Sequence, residues 1–129
     1  MPTFDEAITA EAPPEEIWKL LYDPARFPEW FPGVGSIEDV EDGRYTLYPE
    51  GYPDFPMPQK LETRQVGRQA VISCLVSNMS FEWRLEPDGE RTRISVHVEI
   101  PEEEAARLDD QRNVISRAVE NLARQASAT

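Results

Sequence analysis

The chain of 129 residues carries 13 basic and 25 acidic side chains, and its net charge of −12 excludes a phosphate backbone or an anionic membrane surface as an expected partner. One cysteine, Cys74, and one histidine, His97, exclude an internal disulfide and a multi-cysteine metal site, and no apolar run approaches the length that spans a bilayer. The length suits one domain over residues 1–129, and the absence of a secretory pattern in Met1-Pro2-Thr3-Phe4-Asp5-Glu6 leads us to expect a reduced cytoplasmic setting.

Residues 3–11 alternate, with Phe4, Glu6 and Ile8 against Asp5, Ala7 and Thr9, which predicts a half-buried strand. Pro14, Glu15 and Glu16 then open a helix: a missing N–H costs nothing at a helix start, and negative charge meets the helix dipole there. Ile17, Trp18, Leu20 and Leu21 give it one apolar face, and Pro24 stops it by disfavouring helical geometry at Asp23. Asp23-Pro24 starts a second, very short helix over 24–27, bounded by Pro28, Pro32 and Gly33.

From Val34 onward the pattern is one of strands. Segments 34–41 and 44–48 flank Asp42-Gly43, a hairpin signal, and segments 57–66 and 69–77 flank Gly67-Arg68. Over 79–86, Met79, Phe81, Trp83 and Leu85 share one face; beyond the turn at Pro87-Asp88-Gly89-Glu90, Ile94, Val96, Val98 and Ile100 do the same. Connections this short predict an antiparallel meander. Pro101 and Glu102–Glu104 start a final helix over 102–126, roughly 37 Å long at about 1.5 Å per residue. Its expected buried stripe is Leu108, Arg112, Ile115, Val119, Leu122 and Ala126, with Arg107, Asp110, Arg117, Asn121 and Arg124 on the other side. The order of strand, helix pair, six strands and long helix makes an α+β chain whose last helix covers the sheet.

Ala12-Pro13-Pro14-Glu15-Glu16-Ile17-Trp18, Leu21-Tyr22-Asp23-Pro24 and Phe27-Pro28-Glu29-Trp30-Phe31-Pro32-Gly33-Val34 together resemble the signature of the SRPBCC superfamily. That superfamily groups START-like lipid-transfer, birch-pollen-allergen-like and polyketide cyclase/dehydrase proteins, and the likeness is to the polyketide cyclase/dehydrase-like branch. The resemblance implies a helix-grip fold: a curved seven-stranded antiparallel sheet wrapped around a long C-terminal helix, two short helices after the first strand, and a cavity between sheet and helix. Alternation then places Tyr45, Leu47, Leu61, Thr63, Ile72, Cys74, Phe81 and Trp83 toward that cavity, with Leu108, Arg112 and Ile115 approaching from the helix. Taken singly, each of these reads as core.

Arg112 stands in an otherwise apolar stripe. Snorkelling to water is its plainer reading, and a guanidinium anchor for a ligand carboxylate or phenolate at the cavity mouth is the sharper one. Thr63 and Gln65 are candidates for further polar contacts. His97 alternates with Val96 and Val98 and so points outward, while Cys74 reads as a small buried residue with no adjacent base to activate it. The acidic clusters Glu38–Glu41 and Glu102–Glu104 read as a solvated face and a dipole-matched helix start. The segment from Tyr48 to Pro58 holds four prolines, two tyrosines and a phenylalanine, and its Tyr52, Phe55 and Met57 are lid candidates or, equally, a homodimer contact.

These features lead to an expected binder or carrier of a small, mainly apolar, lipid- or polyketide-like molecule, needing neither metal nor cofactor. A cofactor-independent cyclase or dehydratase is the alternative, and its inventory is thin: Arg112, Tyr45 and Thr63, with no inward histidine or carboxylate. A protein-interaction module using the groove and the 48–58 loop is the third reading.

Overall fold

The computed structural model describes residues 2–127. Strand β1 (Thr3–Ala10) leads into helix α1 (Pro14–Leu21) and a 3₁₀ helix (Pro24–Glu29). Strands β2 (Val34–Glu41), β3 (Arg44–Pro49), β4 (Met57–Gln65), β5 (Gln69–Cys74), β6 (Ser80–Asp88) and β7 (Arg91–Glu99) follow. A second 3₁₀ segment (Glu102–Arg107) runs into the long helix α2 (Leu108–Ser127). All seven strands form one antiparallel sheet in the order β1-β7-β6-β5-β4-β3-β2. The meander from β2 to β7 thus ends beside the first strand, and α2 packs across β1, α1 and β7. This is the curved α+β sheet gripping one helix that the family resemblance implied.

The bend between β1 and β2 is fixed by the residues that signalled it. Pro14 occupies the start of α1 with Glu15 and Glu16 in its first turn, and the Asp23 carboxylate accepts from the Ala25 N–H at 3.1 Å to cap the 3₁₀ helix. The buried Trp30 indole N–H donates to the Leu20 carbonyl at 3.0 Å, tying the end of the bend back onto α1. Across the sheet, the buried Thr92 hydroxyl donates to the Ala12 carbonyl at 2.8 Å.

The β2–β3 hairpin turns at Asp42 and Gly43, both at positive φ (51° and 80°), as a two-residue turn matched to the strand twist requires. A Cβ on Gly43 would lie 2.7 Å from the Leu61 carbonyl oxygen, so glycine is also the residue that fits. β2 itself is irregular: its register against β3 slips between Val34 and Ser36 and again between Glu38 and Glu41, where Asp39 takes a φ of 54°.

Three details differ from the expected elements. β5 stops at Cys74 instead of reaching 77, because Asn78 adopts a left-handed φ of 61° and its N–H returns to the Cys74 carbonyl at 2.9 Å. Leu75 and Val76 are left exposed in that turn. The last helix begins as a 3₁₀ segment: Pro101 offers no side-chain cap, and the Glu104 N–H closes a tight turn on the Pro101 carbonyl at 2.9 Å. The buried face of α2 comprises Ile115, Ala118, Val119, Leu122, Ala123 and Ala126, whereas Arg112 is exposed. At about 100° per residue, Arg112 falls on the flank toward β1, where its guanidinium carbon lies 5.4 Å from the Phe4 ring centroid. Asn121, expected on the solvent side, donates instead to the Trp30 carbonyl at 3.1 Å.

Candidate functional site

Strand register assembles the site wall by wall. Tyr45 pairs with Gln59, and Gln59 with Cys74, so one row crosses β3, β4 and β5. The next row runs Leu61, Ile72, Phe81 and Val98, while Leu47 pairs with Met57 at the near end. Most of the space between sheet and helix is solid. Trp30 and Trp83 meet edge to face at 5.4 Å and 86°, Phe27 meets Trp30 at 5.5 Å and 79°, and Ile115 and Leu122 of α2 are buried in the same core. Phe31, 6.3 Å from Phe81 and 6.5 Å from Trp83, is the last ring of this stack.

Beyond Phe31 the packing ends and a cavity of about 240 Å³ begins. Leu47, Pro49, Met57, Gln59, Ile72, Cys74, Met79 and Phe81 line it from the sheet, and Phe27, Phe31, Pro32, Gly33 and Val34 from the bend after α1. Arg107, Gln111 and Val114 close the third side. The wall is aromatic and aliphatic apart from a few groups. Gln59 is buried and accepts from the Tyr45 hydroxyl at 2.9 Å. Burial, with the neighbouring Cys74 thiol as a lesser cause, pushes the Tyr45 phenol far above its ordinary range, so it stays neutral and acts as a donor. Arg107 stands at the rim, partly exposed, with its guanidinium 3.3 Å from the Glu104 carboxylate.

The expected cavity residues therefore divide. Leu47, Ile72, Cys74 and Phe81 line the cavity, as does Met57 from the lid segment. Tyr45, Leu61, Trp83 and Ile115 are buried in the packed part of the groove, and Leu108 packs half-buried against it. Thr63 and Gln65 are exposed toward the far end of β4, and Arg112 lies on the opposite flank of α2 from Val114. Tyr52 and Phe55 stand 67% and 59% exposed around a shallow hollow of their own loop. Gln59, Met79, Gln111 and Val114 reach the cavity without having been expected there. Gln59 carried a signal, since it shares the period-two face of Met57 and Leu61.

The family described as polyketide cyclase/dehydrase and lipid transport matches residues 1–127. The chain belongs to that family. The SRPBCC character carried by residues 12–33 extends across the whole match. Solved structures of the same fold include XoxI from Bacillus cereus, 18% identical with a TM-score of 0.76, covering 96% of this chain and 94% of that one. An uncharacterised protein from Bacillus thuringiensis is 15% identical with a TM-score of 0.77, covering 99% of this chain and 100% of its own. The two-domain ARO/CYC protein BexL of the BE-7585A biosynthetic pathway is 20% identical with a TM-score of 0.77, and the match covers 97% of this chain and 46% of BexL. At these identities the likeness is one of fold. No curated protein sequence matches the chain. Among the described residues, no group of three or more His, Cys, Asp or Glu side chains is placed to hold a metal ion, and no helix is long and apolar enough to cross a membrane.

Proposed function

We propose that this polyketide cyclase/dehydrase and lipid transport family member binds and carries a small, mainly apolar molecule in the cavity between β3–β6 and α2. The observation that carries the reading is the change at Phe31 from close packing to a cavity of about 240 Å³ with a mainly apolar wall. Water there finds few hydrogen-bond partners, and displacing it with apolar surface is favourable by about 25 cal/mol per Å² buried. The volume lies just below the roughly 300–1,000 Å³ usual for small-molecule sites, which favours a compact ligand. In the same reading the 50–56 loop serves as a lid: Met57 already lines the cavity, and closure would take the exposed Tyr52 and Phe55 rings out of water.

The family description and the fold likeness to an ARO/CYC protein favour a cyclase or dehydratase as the second reading. The lining supports it less. It offers Arg107 and Cys74 as its ionisable groups, and the Tyr45 hydroxyl behind Gln59 is held neutral. Proton transfer at neutral pH wants a group whose pKa lies near the operating pH, and this wall presents neither imidazole nor carboxylate. The test is a neutral fluorescent probe, N-phenyl-1-naphthylamine, titrated into wild type and Val114→Phe. The larger side chain fills the cavity, so affinity should fall at least tenfold while the melting temperature holds. Undiminished binding in the filled variant, or no binding in the wild type, rejects the carrier reading.

A further inference from the structure

We infer that Gln59 is the specificity-determining polar contact of the cavity: its side-chain amide donates a hydrogen bond to an acceptor oxygen of the ligand, selecting apolar carbonyl compounds over hydrocarbons of the same shape. The inference rests on the carrier reading and sharpens it.

The orientation of the amide is set from behind. Tyr45 and Gln59 are direct cross-strand partners on β3 and β4, and both are buried. A buried neutral phenol must place its proton on an acceptor, and the Tyr45 hydroxyl places it on Gln59 Oε1 at 2.9 Å. With the oxygen end of the amide committed to Tyr45, the other end, Nε2 with its two N–H donors, is left to the cavity that Gln59 lines. No protein acceptor meets Nε2 among the described residues. Of the neighbouring lining side chains, Leu47, Ile72 and Phe81 offer no acceptor and the sulfurs of Met57 and Cys74 only weak ones, while Arg107 and Gln111 lie on the helix side.

A hydrocarbon seated against this wall would strip water from Nε2 and give nothing back. A ketone or quinone oxygen at the same place would restore the bond. Leaving a buried donor unpaired is penalised more heavily than an average hydrogen bond is rewarded, so discrimination of about tenfold is expected. Tyr45 is a positioning residue in this scheme, acting through the orientation it imposes on Gln59.

The experiment compares 9-fluorenone with fluorene, planar tricyclic molecules of nearly equal shape that differ in one carbonyl. Binding is read by quenching of tryptophan fluorescence in the wild type, Gln59→Leu and Tyr45→Phe. The wild type should bind the ketone about tenfold more tightly than the hydrocarbon. Gln59→Leu should bring the ratio of the two affinities to about one while retaining fluorene, and Tyr45→Phe should lower the ratio part of the way, since the amide is then free to rotate. A merely structural role for either residue would weaken both ligands together and leave the ratio unchanged, which overturns the inference. Equal affinities in the wild type also overturn it, whatever the variants do, and leave the carrier reading standing. Failure of the wild type to bind either compound removes the carrier reading, and the inference falls with it.

Discussion

Neighbouring positions on α2 face different surroundings, and truncating each in turn tests the rotation of the helix. Ile115 is fully buried in the core, whereas Val114 is half-buried and lines the cavity. Ile115→Ala removes three carbons, worth about 0.8 kcal/mol each in transfer alone. The void left in a close-packed region adds to this, giving a loss of about 3–4 kcal/mol. Val114→Ala removes two carbons from a side chain that already borders empty space. Its partial exposure trims the transfer term by up to about a third, no new enclosed void forms, and the loss should stay near ~1–1.5 kcal/mol. For a chain of this size each kcal/mol moves the melting temperature by about 3–6 °C, so the two variants should separate by about ten degrees. Urea titrations followed by tryptophan fluorescence give the free energies directly, and an unchanged m-value confirms that the same surface unfolds in both. Equal losses, or a larger loss at Val114, would refute both the helix rotation and the cavity beside it.

His97 gives a pH signature with a defined sign. Its Nδ1 lies 2.8 Å from the Asp5 carboxylate and its Nε2 3.7 Å from that of Glu99. The hydrogen bond to Asp5, followed by the charges of Asp5, Glu99 and Glu82, raises its pKa above the ordinary 6.5. The stabilisation is therefore complete below about pH 6.5 and is lost as pH rises through the raised value. With the imidazole 40% exposed, solvent screening holds it below about 1 kcal/mol. Thermal melts of His97→Gln against wild type should show a gap at pH 5.5 that closes by pH 9; a gap that widens with pH would contradict the assignment. Asn121→Ala should cost about 1 kcal/mol and alter the tryptophan emission, because the amide no longer holds the Trp30 carbonyl at 3.1 Å. Arg117→Ala, at an exposed position of the same helix, should do neither.

Much of the fold was legible because local signals and tertiary demands agree. Asp23 caps where a cap was expected, Asp42-Gly43 turns with both φ positive, and the alternation Met79, Phe81, Trp83, Leu85 faces inward throughout. On the sheet side the inward face was legible for the same reason, though of the eight residues expected at the cavity Leu47, Ile72, Cys74 and Phe81 line it, while Tyr45, Leu61 and Trp83 pack solid and Thr63 is exposed. On the helix it was not. Leu108, Arg112 and Ile115 follow an apolar period, yet the flank that borders the cavity carries Gln111 and Val114, since a side chain facing empty space has no packing partner to demand that it be apolar. Gln59 was missed although it shares the period-two face of Met57 and Leu61, because a glutamine reads as a solvent residue until its partner Tyr45, fourteen positions earlier, is seen beside it. Leu75 and Val76 mimic a strand because their β-propensity is real, but the left-handed Asn78, whose N–H closes on the Cys74 carbonyl, turns the chain there.

The two register slips in β2 bear on how the sheet ends. A strand has one side for its neighbour and one for whatever comes next, and the free side of β2 is the sheet's outer margin. Uneven spacing there breaks the regular ladder of donors and acceptors that another extended chain would need for pairing. The exposed carboxylates of Glu38, Asp39 and Glu41 line the same margin, so a second copy presenting its own β2 would bring like charges face to face. Growth of the sheet into a continuous ribbon of molecules is opposed twice over at this margin, by geometry and by charge.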